Sequence, residues 1–110
     1  MGYLVYDSRT RISFDDRVLA HLEVVIISKL RRREPFPLTW REPDEAGDGR
    51  STIWLDAAIP LRFRFEGSRH PSIDRAWVER LAILASSSTG LIVSDEDGNA
   101  VTGTTSEQET

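Results

Sequence analysis

Lys29, the only lysine of the chain, lies in the stretch SKLRRRE, with Arg31, Arg32 and Arg33 close behind it. A lysine amine is the nucleophile of covalent nucleotidyl transfer, where it attacks an α-phosphate from a K-x-D-G setting. Here Leu30, Arg31 and Arg32 follow the lysine, so the aspartate and the glycine are both missing. Cations in the last turn of a helix have a simpler use. They complement the partial negative charge of unsatisfied carbonyls, by about 0.3–1 kcal/mol each. Combined with Arg62 and Arg64, or with Arg69 and His70, the cluster would also neutralise a few phosphates of a nucleic acid. Glu34, Asp56, Glu66 and the acidic C-terminal stretch oppose that use.

Other chemistry-bearing residues are scattered. His21 and His70 have no metal-ligand spacing. Asp95, Asp97 and Gly98 look like the opening of a calcium loop, without its ligand ladder or the glutamate at the twelfth position. Neither a G-x-x-x-x-G-K phosphate loop nor a G-x-S-x-G nucleophile elbow occurs. No catalytic residue, cofactor or metal is therefore predicted. Trp40, Trp54 and Trp77 are either core and rim or a stacking platform. Trp54 alternates with Ile53 and Leu55; if those face inward, it shares the outer sheet face with Arg62 and Arg64, and an exposed indole beside two guanidiniums makes a contact surface for protein or nucleic acid.

These residues must be positioned by a small set of elements. YLVYDSRTRISFD alternates as a hairpin around Asp7-Ser8-Arg9-Thr10, with Leu4 and Tyr6 in phase with Ile12 and Phe14. Asp15 caps a helix, Phe14 and Leu19 staple it, and Glu34-Pro35 stops it near Arg33, a length of about 27 Å. FPLTWRE, RSTIWLDA and PLRFRFEG read as three strands of a meander. Ser72 is the expected cap of a second helix with Ile73, Trp77, Leu81 and Leu84 on one stripe; Gly90 terminates it and LIVSD returns as a strand. The order ββ-α-βββ-α-β predicts an α+β two-layer sandwich, a mainly antiparallel sheet with both helices on one face. Residues 1–94 form the domain, and 95–110 an acidic, disordered tail too poor in apolar residues to offset its ordering entropy.

The first helix is apolar over more than one stripe. Val18, Leu19, Leu22, Val25, Ile26 and Leu30 make the core stripe, and Ala20, Val24 and Ile27 form a second row beside it. That row is covered either from within the chain, by Trp77 and Leu81, or by a second copy in a symmetric homodimer.

A chain of 110 residues without cysteine must rely on a single packed core. No apolar run approaches a membrane span and no signal peptide is visible, which predicts a cytoplasmic protein without membrane attachment. Of the 18 acidic residues, five fall in 91–110, which holds no basic residue; the other 13 face 14 basic residues, of which 13 are arginine. The body is thus nearly neutral, unlike a dedicated DNA-binding domain.

MGYLVY, DDRVLAHLEVVIISKLRRRE, RSTIWLDAAIPLRFRFEG and the following P-IDRAWVERL resemble a family of short actinobacterial and actinophage proteins of unknown function, often labelled ATP-dependent DNA ligase. The resemblance spans about residues 1–92 and supplies no catalytic residue. Three functions are open at this point. The first is a non-enzymatic interaction module, homodimeric through Ala20, Val24 and Ile27 or engaging an unidentified protein. The second is an accessory nucleic-acid binder using Lys29, Arg31, Arg32, Arg33, Trp54, Arg62 and Arg64, and the third is the nucleotidyl transfer that the ligase label implies.

Overall fold

The computed structural model describes residues 1–44, 47 and 49–107. The chain is an α+β fold of seven strands and two helices: β1 (Gly2–Tyr6), β2 (Thr10–Phe14), α1 (Asp16–Arg31), β3 (Phe36–Arg41), β4 (Arg50–Leu55), β5 (Leu61–Arg64), α2 (Arg75–Ala85), β6 (Leu91–Ile92) and β7 (Thr104–Glu107). The strands build two sheets where the sequence suggested one, a four-stranded sheet β5-β1-β2-β7 and a three-stranded sheet β4-β3-β6. All pairings are antiparallel except that of β3 with β6.

β1 and β2 form the expected hairpin, with Leu4 opposite Ile12 and both fully buried. Asp7 and Ser8 both take positive φ, as a primed turn matching strand twist requires. Phe14 on β2 meets Trp40 on β3 edge-on at 6.3 Å, which ties the inner sides of the two sheets together. Around these rings pack Leu19, Leu22 and Ile26 of α1, Leu38 and Leu55 of the small sheet, and Trp77 and Leu81 of α2. α1 lies against β1, α2 lies against β3 and β6, and the helices lie against each other, so each sheet has its own helix.

Asp15 caps α1 as expected, its carboxylate accepting from the Arg17 amide at 3.1 Å. The far end stops by a different device from the one the proline suggested. Arg33 takes φ 57°, its amide donates to Leu30 O and the Glu34 amide donates back to Lys29 O. This is a Schellman closure with arginine at the left-handed position usually given to glycine. α2 begins two residues later than Ser72 implied: Asp74 is the cap, accepting from the Trp77 amide at 3.2 Å, and Ile73 is left outside and exposed.

Residues 95–107 are not the disordered tail that composition suggested. Asp95 Oδ1 accepts from the amides of Asp97 and Asn99, both at 2.9 Å, which folds a turn that pairs Ser94 with Ala100. Asp95 is thereby spent on backbone amides. The chain then pairs Thr102 with Arg41 on one sheet and lays β7 along β2 on the other. Gly103 makes that crossing possible: a Cβ there would stand 2.7 Å from Phe14 Cε1 and 2.8 Å from Trp40 Cδ1. Of the predicted tail, Gln108, Glu109 and Thr110 lie outside the described residues.

Candidate functional site: the outer face of the three-stranded sheet

The residues singled out in the sequence do not converge. Lys29, expected at an exposed helix end, is buried: its ammonium donates to Glu34 Oε1 at 3.0 Å and to Ser86 Oγ at 3.1 Å. The last turn of α1 rotates this side chain toward α2, whose C-cap is Ser86, so the lysine locks the two helix ends together. Accepting that hydrogen bond, with Arg32 at 3.6 Å adding its charge, holds the Glu34 carboxyl below its ordinary range. Arg31, Arg32 and Arg33 remain exposed.

Ala20 is likewise buried within the chain. The Gly67 amide bonds Asp16 on one flank of α1 at 3.1 Å, and the Asp74 amide bonds His21 on the other at 2.8 Å. The β5–α2 connection is therefore tied to α1 at Asp16 and at His21, and Ala20, which lies between these two positions in the helix, is buried. Val24 and Ile27, nearer the C-terminal end of α1, stay about 40% exposed beside Arg31 and Arg32. His21 is structural: its Nδ1–H donates to Arg17 O at 2.6 Å, Nε2 accepts from Asp74, and the ring stacks on Trp77.

Trp54 lies on an outer sheet face, 51% exposed, as its alternation with Ile53 and Leu55 required. Arg62 and Arg64 do not join it, because β5 belongs to the other sheet. The neighbours of Trp54 are ones the sequence reading passed over. Pro37 stands opposite it, Thr39 lies between Thr52 and Ile92, and Arg41 stands opposite Arg50. Thr39, Arg41, Arg50, Thr52, Ile92 and Pro37 line an open groove of about 630 Å³ whose walls are largely apolar. Ile92 is 44% exposed. Gly90 holds the rim by approaching Pro37 so closely that a Cβ would fall 2.3 Å from Pro37 Cγ. The alternation of β3 was a usable signal for Pro37, Thr39 and Arg41; Ile92, on a two-residue strand, had none.

The second outer face, on the four-stranded sheet, carries Arg11 and Arg62 on either side of Val5, and Ser13 and Arg64 on either side of Tyr3. Arg11 stacks over the Tyr3 ring at 4.0 Å. With Thr104 and Ser106 of β7, the eight outward strand positions hold three arginines, and Glu66 lies beside Tyr3 and Arg64 at one edge.

The sequence profile of a domain of unknown function, DUF7882, matches residues 1–96, nearly all of the helices and sheets just described. The chain belongs to this family. No curated protein and no solved structure matches it. The DUF7882 match ends at Glu96, inside the turn that Asp95 organises, and the strand that crosses between the sheets follows it. Among the described residues of this DUF7882 chain no cluster of histidine and carboxylate side chains is placed to hold a metal ion, and no helix is long and apolar enough to cross a membrane.

Proposed function

We propose that this domain is a non-enzymatic protein-interaction module whose contact surface is the outer face of the three-stranded sheet. One observation carries the reading: Trp54 and Ile92, two large apolar side chains, are about half exposed on the same face as an apolar-walled groove. Exposed indole and isoleucine on a concave, pre-formed sheet surface are what the centre of a protein interface is made of. The paired arginines Arg41 and Arg50 at one end give that face a polar margin.

Proximity labelling in the native cell tests it. The wild-type domain, a Trp54→Ser/Ile92→Ser variant and a Val24→Ser/Ile27→Ser variant are compared. Loss of one reproducible set of labelled proteins in the sheet variant alone is the expected result. An unchanged set in that variant overturns the reading.

A second reading rests on the outer face of the other sheet, where Arg11, Arg62 and Arg64 share one side on a chain of net charge −4. That segregation suits a polyanion such as a single-stranded nucleic acid. About three phosphate contacts would give a slope of log K against log salt near −2. Absence of binding to a generic oligonucleotide at low ionic strength removes it. Nucleotidyl transfer through Lys29 has no support in the geometry, since the amine is buried and engaged by Glu34 and Ser86.

A further inference from the structure

β4 is an edge strand, and its backbone shows which of its groups are free. Thr39 O accepts from the Val93 amide on the β6 side, so Thr39 turns its polar backbone groups away from β4. Thr39 and Thr52 are therefore a non-hydrogen-bonded pair, consistent with their hydroxyls meeting at 2.7 Å. By the alternation of an antiparallel ladder, Arg50, Thr52 and Trp54 direct their amides and carbonyls away from β3, to the open side of the sheet. The Trp54 carbonyl accepts from Tyr6 Oη at 2.8 Å, which confirms the direction and leaves that oxygen one further lone pair. No strand of the described residues pairs with this side of β4.

Natural edges are ordinarily blunted by lysine, proline or a bulge. RSTIWL has none of these over six residues. It is instead self-complementary. If a second β4 is laid antiparallel about a two-fold axis at Thr52, Arg50 of each copy stands directly opposite Trp54 of the other, on the outer face. A guanidinium then meets the negative face of an indole twice, a favourable cross-strand pair. The free groups of positions 50, 52 and 54 fall into register for up to about six hydrogen bonds. Any shift of register separates both arginine–tryptophan pairs.

We propose that two copies of this chain associate through β4, Thr52 on Thr52, to give one continuous six-stranded sheet with the two grooves on a shared face. The contact is made by the backbone edge of β4; Arg50, Thr52 and Trp54 also face the groove side, but Ile92 and Pro37 take no part in it, so each reading can fail while the other stands.

The chain has no cysteine, so one introduced thiol reports the contact directly. In the proposed pair the two Thr52 Cα atoms lie about 5.5 Å apart, inside the roughly 4.4–6.8 Å span of a disulfide. Mild oxidation of the Thr52→Cys protein should give a covalent dimer at least tenfold faster than oxidation of the Thr39→Cys protein, whose thiols lie one strand further from the axis. Sedimentation should show the wild type as a dimer. Arg50→Glu should weaken it at least tenfold, and Thr52→Pro, which removes an edge amide that the fold does not use, should leave a folded monomer. Equal cross-linking rates for the two cysteine variants overturn the proposal, as does a wild type that stays monomeric at about millimolar concentration. If Thr52→Pro fails to fold, the cross-linking rates and Arg50→Glu still decide. Ile92→Ser, on β6 across β3 from the free edge, should abolish partner labelling and leave the dimer intact, which separates the groove from this contact.

Discussion

The imidazole of His21 lies flat on the indole of Trp77, with ring centroids 3.9 Å apart and 22° between the planes. It is at once the packing surface between α1 and α2 and the acceptor for the Asp74 amide at the start of α2. His21→Leu fills the space with an apolar side chain but orphans that amide in a partly buried place. Stability should fall by about 1–3 kcal/mol, read as a lower urea midpoint with an unchanged m-value.

Arg33 holds the left-handed corner that closes α1. A side chain with a Cβ costs roughly 1–2 kcal/mol in that conformation relative to glycine, partly offset by the greater chain entropy of glycine when unfolded. Arg33→Gly should therefore raise stability by about 0.5–1 kcal/mol, seen as a rise in Tm of a few degrees. A fall in Tm would show that the arginine side chain makes a contact worth more than the strain.

Glu34 is held below its ordinary range by the Lys29 hydrogen bond. A carboxyl whose folded value is depressed contributes stability that is fully present above its unfolded value and is lost as pH falls through the folded one. Tm should decline on acidification from about pH 5 downward, and the decline should be shallower in Glu34→Gln. Parallel curves for the two proteins would place the acid sensitivity elsewhere.

Gly103 lets the chain pass between Phe14 and Trp40. Gly103→Ala forces two packed rings apart and should cost about 1–3 kcal/mol. Amide exchange should rise first in β7 and in its partner β2, because that crossing anchors the edge of the four-stranded sheet.

The class of the fold was readable because its core obeys simple periods. Leu4, Ile12 and Phe14 alternate, and Leu19, Leu22 and Ile26 recur at helical spacing; all are buried. What escaped was set by contacts distant in sequence. β7 is Thr-Thr-Ser-Glu, exposed throughout, and becomes a strand only because β2 offers it a ladder. Division of the strands into two sheets separated Trp54 from Arg62 and Arg64, which alternation alone could not show. Lys29 and Ala20 were misplaced for a related reason. Ser86 bonds Lys29 from 57 residues away, and the β5–α2 connection is tied to α1 at Asp16 and His21, on either side of Ala20 in the sequence.

One consequence of the Lys29 arrangement is practical. Because the single side-chain amine is shut between two helix ends, acylating reagents meet it only when those ends separate. Its rate of modification is therefore a built-in clock for opening of the α1–α2 corner, readable by mass spectrometry without any engineered residue.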